Sequence, residues 1–247
     1  MKFWSFKNIA ATETEPESTE LRIEGDIVSD DDVWIYQWLD MPCSSPNVFR
    51  DELKQYAGKD ITVWIDSYGG DVFAAAGIYN ALMEHKGKIT VKIDGKAMSA
   101  ASVIAMAGGE IQMSPVGILM IHNPLTGAQG YASDLRKTAD VLDEVKESII
   151  NAYQLKTGKS RNKISAMMDD ETYMSAKTAI KEGFADSMLY AEQPDTPTET
   201  MNFAFGRNAV LNSTNESVKR LFAISKPELP KENIALAKAK LALQLTL

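Results

Sequence analysis

The sequence predicts an α/β layered fold, and three observations carry that prediction. Alternating apolar segments, Ile61-Thr62-Val63-Trp64-Ile65-Asp66 and Ile89-Thr90-Val91-Lys92-Ile93-Asp94, have the two-residue period of strands. Each runs through a short turn into a helical segment, and such strand–helix alternation builds layered sheets rather than bundles. The second passes through Gly95-Lys96-Ala97-Met98 to Ser99, then into a small-residue apolar helix closed by Gly108-Gly109.

Taken in order, residues 8–20 are polar and acidic, and 1–20 as a whole is expected to be a disordered acidic leader. Residues 21–25 open the fold as a first strand. Residues 33–39, with Trp34, Tyr36 and Trp38, suit a short helix or loop packed on a partner. Ser45-Pro46 is an N-cap and first-turn pair, with Phe49, Leu53 and Tyr56 at helical spacing behind it. The strand at 61–66 ends in the glycine turn Ser67-Tyr68-Gly69-Gly70-Asp71, and a helix spans about 72–84. After the Ser99 helix come two short strands, 110–113 and 118–121, around Ser114-Pro115. Ser133-Asp134 caps a long amphipathic helix reaching about Lys156, with Leu135, Ala139, Leu142, Val145, Ile149, Ala152 and Tyr153 on its apolar stripe. At about 33 Å it would project from the core and need a partner. Short helices at 161–168 and 176–182 and the segment 183–189 complete a globular domain over 21–190. Residues 191–247 read as a Pro- and acid-rich linker and a partly helical appendage.

The 247 residues can bury a large core. A net charge of −8 argues against a nucleic-acid partner, and no apolar run is long enough to span a bilayer. The N-terminus lacks the apolar core of a signal peptide. With Cys43 as the one cysteine there is no internal disulfide, which fits a reducing, cytoplasmic setting. One cysteine and two histidines offer too few ligands for a zinc site.

Ser99 at a strand-to-helix turn is either an N-cap or a nucleophile. The candidate bases are few. His85 ends a helix, where dipole and C-terminal carbonyls account for it. His122 ends a strand, the place where layered α/β folds put their sites. Lys96 lies three residues before Ser99 and would have to be desolvated to act as a base. Cys43 sits in a loop-like Pro-Cys-Ser-Ser-Pro run with no base beside it. The Gly69-Gly70 turn stands at the end of one strand as Ser99 stands at the end of the next. Two such adjacent turns can aim backbone amides at one carbonyl, as an oxyanion hole requires.

These motifs together resemble the ClpP-type serine peptidases. The resemblance rests on Asp66-Ser67-Tyr68-Gly69-Gly70, Met98-Ser99-Ala100-Ala101-Ser102, Met120-Ile121-His122-Asn123-Pro124 and Met174-Ser175-Ala176 with Glu182-Gly183-Phe184-Ala185-Asp186, in order. It covers roughly 20–190 and implies a ClpP/crotonase-like layered fold with a projecting handle helix. It further implies Ser99 as nucleophile, His122 as base, and Gly70 and Ala100 N–H groups as the oxyanion hole. Glu171 aligns with the family's aspartate, with Asp170 as the alternative third member. No metal or organic cofactor is implied. The handle suggests a homo-oligomeric ring acting on polypeptides. Gly25-Asp26-Ile27-Val28, the Val-Ile-Ala-Met-Ala-Gly helix and residues 146–153 look closest to phage and prophage head maturation proteases. That branch would cleave capsid or scaffold protein in the host cytoplasm or prohead. The acidic leader and the 57 residues past Tyr190 favour it over a housekeeping subunit fed by an AAA+ unfoldase. A crotonase-type acyl-CoA enzyme and a non-catalytic assembly scaffold are the remaining alternatives. The break in composition after Tyr190 also suggests a segment open to self-processing.

Overall fold

The computed structural model describes residues 6–9, 18–39 and 43–190. The chain divides into two units, Met1–Gln193 and Pro194–Leu247, and every described residue belongs to the first. The expected linker and appendage at 191–247 lie outside the described residues. The elements run β1 (Phe6–Ile9), β2 (Ser18–Ile27), α1 (Val33–Trp38), β3 (Cys43–Ser44), α2 (Pro46–Leu53), β4 (Ile61–Gly70), α3 (Val72–Met83), β5 (Ile89–Met98) and α4 (Ala100–Ala105). Then follow β6 (Glu110–Met113), β7 (Ile118–Ile121), α5 (Ala132–Thr157), α6 (Arg161–Asp169), β8 (Thr172–Ser175), α7 (Ala176–Lys181) and β9 (Ser187–Met188).

Period-two alternation builds the centre. Ile61, Val63 and Ile65 of β4 and Ile89, Val91 and Ile93 of β5 are buried, and the residues between them are only partly so. Each such aliphatic side chain contributes about 1.5–3 kcal/mol on full burial. β2, β4 and β5 pair in parallel, with β1 antiparallel on the outer edge of β2. β5 forks: Thr90–Ile93 pair with β6, whereas Lys96–Met98 pair with β7. β6 carries β9, and β7 carries β8 in antiparallel register. All six residues of α4 are buried against α3 and β4, which is why they are small or aliphatic.

The mixed α/β sheet with its covering helices is the layered architecture the sequence predicts. Several boundaries differ, β4 and β5 among them, since they run on to Gly70 and Met98 through segments that read as turns. Residues 6–9 and 18–20 are paired strand rather than disordered leader, with Phe6 opposite Leu21 and Asn8 opposite Thr19. An acidic, Thr-rich composition reports on apolar burial, but an edge strand is held by its backbone ladder, which that composition does not register. β8 and β9, at four and two residues, carry too short a pattern to read and exist because tertiary pairing supplies their ladders. The long helix starts at Ala132, ahead of Ser133, because Asp134 reaches back from the third position to accept the Tyr131 N–H at 2.9 Å. It ends at Gly158 in the left-handed conformation. At 26 residues α5 is about 39 Å long. Its buried residues, Ile149, Ile150, Ala152 and Tyr153, are all near its C-terminal end, while Tyr131 and Leu135 are exposed.

Candidate active site

Ser99 joins β5 to α4 with φ 52° and ψ −125°, a combination that costs a non-glycine residue on the order of 1–3 kcal/mol. The strain is held by backbone bonds on both sides. Its N–H donates to Met120 O at 2.9 Å, and its carbonyl accepts from the Ser102 N–H at 3.0 Å and the Ser102 Oγ–H at 2.6 Å. As the residue preceding a helix it makes no side-chain cap bond. Instead its Oγ lies 2.7 Å from His122 Nε2. The N-cap alternative is thereby displaced by a hydroxyl–imidazole contact. His122 is the first residue beyond β7, half-buried, and β7 is the strand that pairs with the end of β5.

The glycine turn abuts this pair. Between Ile65 and Ser67 the β4–β5 register shifts, so that Ser67 faces Ala97. Two residues on, Gly69 comes against Ser99. A Cβ on Gly69, whose φ is 104°, would lie 2.8 Å from Ser99 Cβ and 2.9 Å from Ala100 N. Gly70, at φ 144°, is pressed on β2: a Cβ there would meet Ile27 O at 2.1 Å. Ser67 pins the turn, since its buried Oγ donates to Gly25 O at 2.6 Å and accepts the Gly69 N–H at 3.0 Å. Asp71 adds its N–H to Ile27 O at 2.7 Å and caps α3 by accepting the Ala74 N–H at 2.6 Å. Ala100 is the first residue of α4, where a backbone N–H has no partner within its own helix.

Glu171 lies immediately before β8. Ile121 pairs with Thr172 in antiparallel register, so Glu171 precedes β8 at the same end of that ladder at which His122 leaves β7. Glu171 itself has φ 46° and is half-buried, whereas Asp170 is exposed at the end of α6. Asp169 is engaged elsewhere, accepting from Lys146 Nζ at 2.6 Å and Asn123 Nδ2 at 2.9 Å. The Lys146 ammonium, helped by Asn123, holds its carboxyl below the usual range.

The competing candidates have other work. Lys96 pairs with Asp66 Oδ1 at 2.6 Å and stands 4.3 Å over the Tyr68 ring, which removes it as a base for Ser99. His85 Nε2 is 2.7 Å from Lys59 O, a bond within the scaffold. Cys43 is buried on β3, and burial, then the nearby Asp26 charge, pushes its thiol up, away from the thiolate a nucleophile needs. Two contributors escape a reading of the sequence. Ser102 is within one turn of Ser99 and looks like a polar break in an apolar helix. Tyr153 looks like one more member of the α5 stripe, yet its hydroxyl lies 2.8 Å from Ser102 Oγ.

The Clp protease family model matches residues 52–192, which spans both turns, the serine, the histidine and Glu171. The chain belongs to the Clp protease family. It is 36% identical over 134 residues to an ATP-dependent Clp protease proteolytic subunit of Bacteroides fragilis, covering 53% of this chain and 65% of that one. A subunit of the same description from Bacteroides thetaiotaomicron is 34% identical, with 61% of its length covered. Subunit 1 from Prochlorococcus marinus subsp. pastoris is 35% identical over 133 residues, with 68% covered. The matched segment thus spans a little under two thirds of the Bacteroides relatives. Among the described residues of this Clp family member, no group of His, Cys, Asp or Glu could hold a metal ion, and no helix is long and apolar enough to cross a membrane.

Proposed function

We propose that the protein is a serine endopeptidase working through an acyl-enzyme, and the 2.7 Å contact between Ser99 Oγ and His122 Nε2 at a strained strand–helix turn carries that proposal. Ser99 Oγ attacks the carbonyl carbon of a peptide bond while His122 Nε2 accepts its proton. The carbonyl π electrons move to oxygen, and the Gly70 and Ala100 N–H groups receive that charge, each such donor typically contributing on the order of 10²–10³ in rate. Collapse expels the amine, which takes the proton from the imidazolium. Water, deprotonated by the same imidazole, then releases the acyl group and restores Ser99. Glu171 orients the imidazole and stabilises its charged form; Asp170 is the alternative that the exposed position disfavours. No metal or organic cofactor enters any step.

The substrate is a polypeptide, and the active form is a homo-oligomer in the cytoplasm whose contacts include the exposed N-terminal part of α5. The relatives, ATP-dependent Clp protease proteolytic subunits, support a proteolytic subunit served by an ATP-driven unfoldase better than phage capsid or scaffold maturation, which rests on residues 25–28, the Ser99 helix and residues 146–153. The test is incubation of the wild type and Ser99→Ala with an unstructured polypeptide such as casein, read by mass spectrometry, alongside labelling by a fluorophosphonate. Cleavage and labelling by the wild type alone support the proposal. Equal behaviour of the two proteins would overturn it and leave the assembly scaffold as the better account.

A further inference from the structure

One peptide unit joins Ser99 to Ala100, and it carries the Ser99 carbonyl at one end and the Ala100 N–H at the other. A planar trans peptide points these two groups in opposite directions, so whatever holds the carbonyl also aims the N–H. Both bonds to that carbonyl come from Ser102, its N–H at 3.0 Å and its Oγ–H at 2.6 Å. Ser102 has a single hydroxyl hydrogen, and it is spent on Ser99 O. The 2.8 Å contact between Ser102 Oγ and the Tyr153 hydroxyl therefore runs with Tyr153 donating. Tyr153 is 1% exposed and packed edge-on against Phe184 at 5.6 Å between ring centroids. Burial pushes its phenol well above the ordinary range, so it keeps the proton it donates.

We infer that Tyr153 and Ser102 form a positioning relay, from α5 through the Ser99 carbonyl, that sets the aim of the Ala100 N–H at the developing oxyanion. The inference rests on the peptidase proposal and deepens it in one respect: α5 becomes the element that tunes the oxyanion hole. Tyr153 occupies the buried end of a helix whose other end is exposed. A tilt of α5 imposed from its exposed end moves the Tyr153 hydroxyl, and the relay passes that movement to the Ala100 donor. Hydrogen bonds weaken steeply as they leave alignment, so a modest rotation matters.

The test uses the full chain as Ser102→Ala, Tyr153→Phe and the double variant, with kcat and KM on a fluorogenic peptide and a crystal structure of Ser102→Ala. Tyr153→Phe keeps the ring against Phe184 and guards against a variant that fails to fold. A lost oxyanion donor typically costs on the order of 10²–10³, so a misaimed one is expected to lower kcat roughly 10- to 100-fold in Ser102→Ala and several-fold in Tyr153→Phe. KM should hold within about two-fold and the pH profile keep its shape, since the contact to His122 is untouched. The double variant should be no worse than Ser102→Ala, because Tyr153 acts through Ser102. In the crystal the Ser99–Ala100 peptide should rotate from its wild-type plane. Unchanged kcat in Ser102→Ala, additive losses in the double variant, or an unrotated peptide would each overturn the relay. A wild type that cleaves nothing would defeat the peptidase proposal instead, and the peptide plane would still decide the relay.

Discussion

The Ser99 N–H donates to the Met120 carbonyl at 2.9 Å, so the β5–β7 ladder continues one residue beyond the end of β5. That bond ties the start of α4 to a point two residues before His122. The hydroxyl and the imidazole meet because their backbones share one sheet edge, and neither side chain has to search for the other.

Glu171→Gln should lower kcat on the order of 10²–10⁴-fold, because an amide cannot stabilise the imidazolium. Asp170→Asn, exposed at the end of α6, should stay within a few-fold of the wild type. Steady-state kinetics on one peptide substrate compares them. A reversed order would hand the third position to Asp170.

Gly69→Ala should both inactivate and destabilise. The new methyl would lie 2.7 Å from Met98 O, 2.8 Å from Ser99 Cβ and 2.9 Å from Ala100 N, at φ 104°. Two of those three neighbours are backbone atoms of the Ser99 turn, so relief has to come from moving that turn. The expected loss is about 2 kcal/mol or more, seen as a lower urea midpoint, with peptide hydrolysis near background.

Lys96→Met should leave kcat within a few-fold of the wild type. The side chain is paired with Asp66 and stacked over Tyr68, and its ammonium takes no part in the proton transfer proposed for Ser99. Stability should fall by no more than about 1 kcal/mol, since both groups of the pair keep access to water. A loss of activity as deep as that of Ser99→Ala would restore a Ser–Lys pair.

Lys159 Nζ lies 2.8 Å from Glu182, and that hydrogen bond holds the Glu182 carboxyl below its ordinary value of 4.5. With the folded value depressed, the folded state binds fewer protons than the unfolded one across that window. The pair's stabilisation is therefore present above 4.5 and is lost as pH falls through the lower, folded value. Glu182→Gln should cost under about 1 kcal/mol near neutrality, with the difference from wild type vanishing well below the carboxylate range. Urea titrations at the two pH values measure it.

Much of the site was legible before any coordinates because its chemistry is carried by local signals. Gly69-Gly70 closes one strand, Ser99 opens a helix after the next, and His122 follows a third, each recognisable from period and turn residues. Glu171 came from its place before the Tyr-Met-Ser segment, and its half-buried position beside the His122 end of β8 has no counterpart in composition. β8 and β9 were illegible because their ladders are completed by residues distant in sequence, whereas β1 pairs with the nearby start of β2 through backbone bonds that composition does not register.

The sequence by itself determined the alternation of strand and helix, the positions of the small-residue turns, and the short roster of groups able to move a proton. Those are properties of neighbouring residues, set by backbone preference and side-chain chemistry within a few positions. Only the tertiary structure decided which candidates meet. The register shift that presses Gly69 on Ser99, the fork of β5 that delivers His122, and the hydroxyl chain from Tyr153 through Ser102 all join residues between 23 and 51 positions apart or on separate strands. Such meetings depend on how whole elements pack, and no local pattern encodes the outcome.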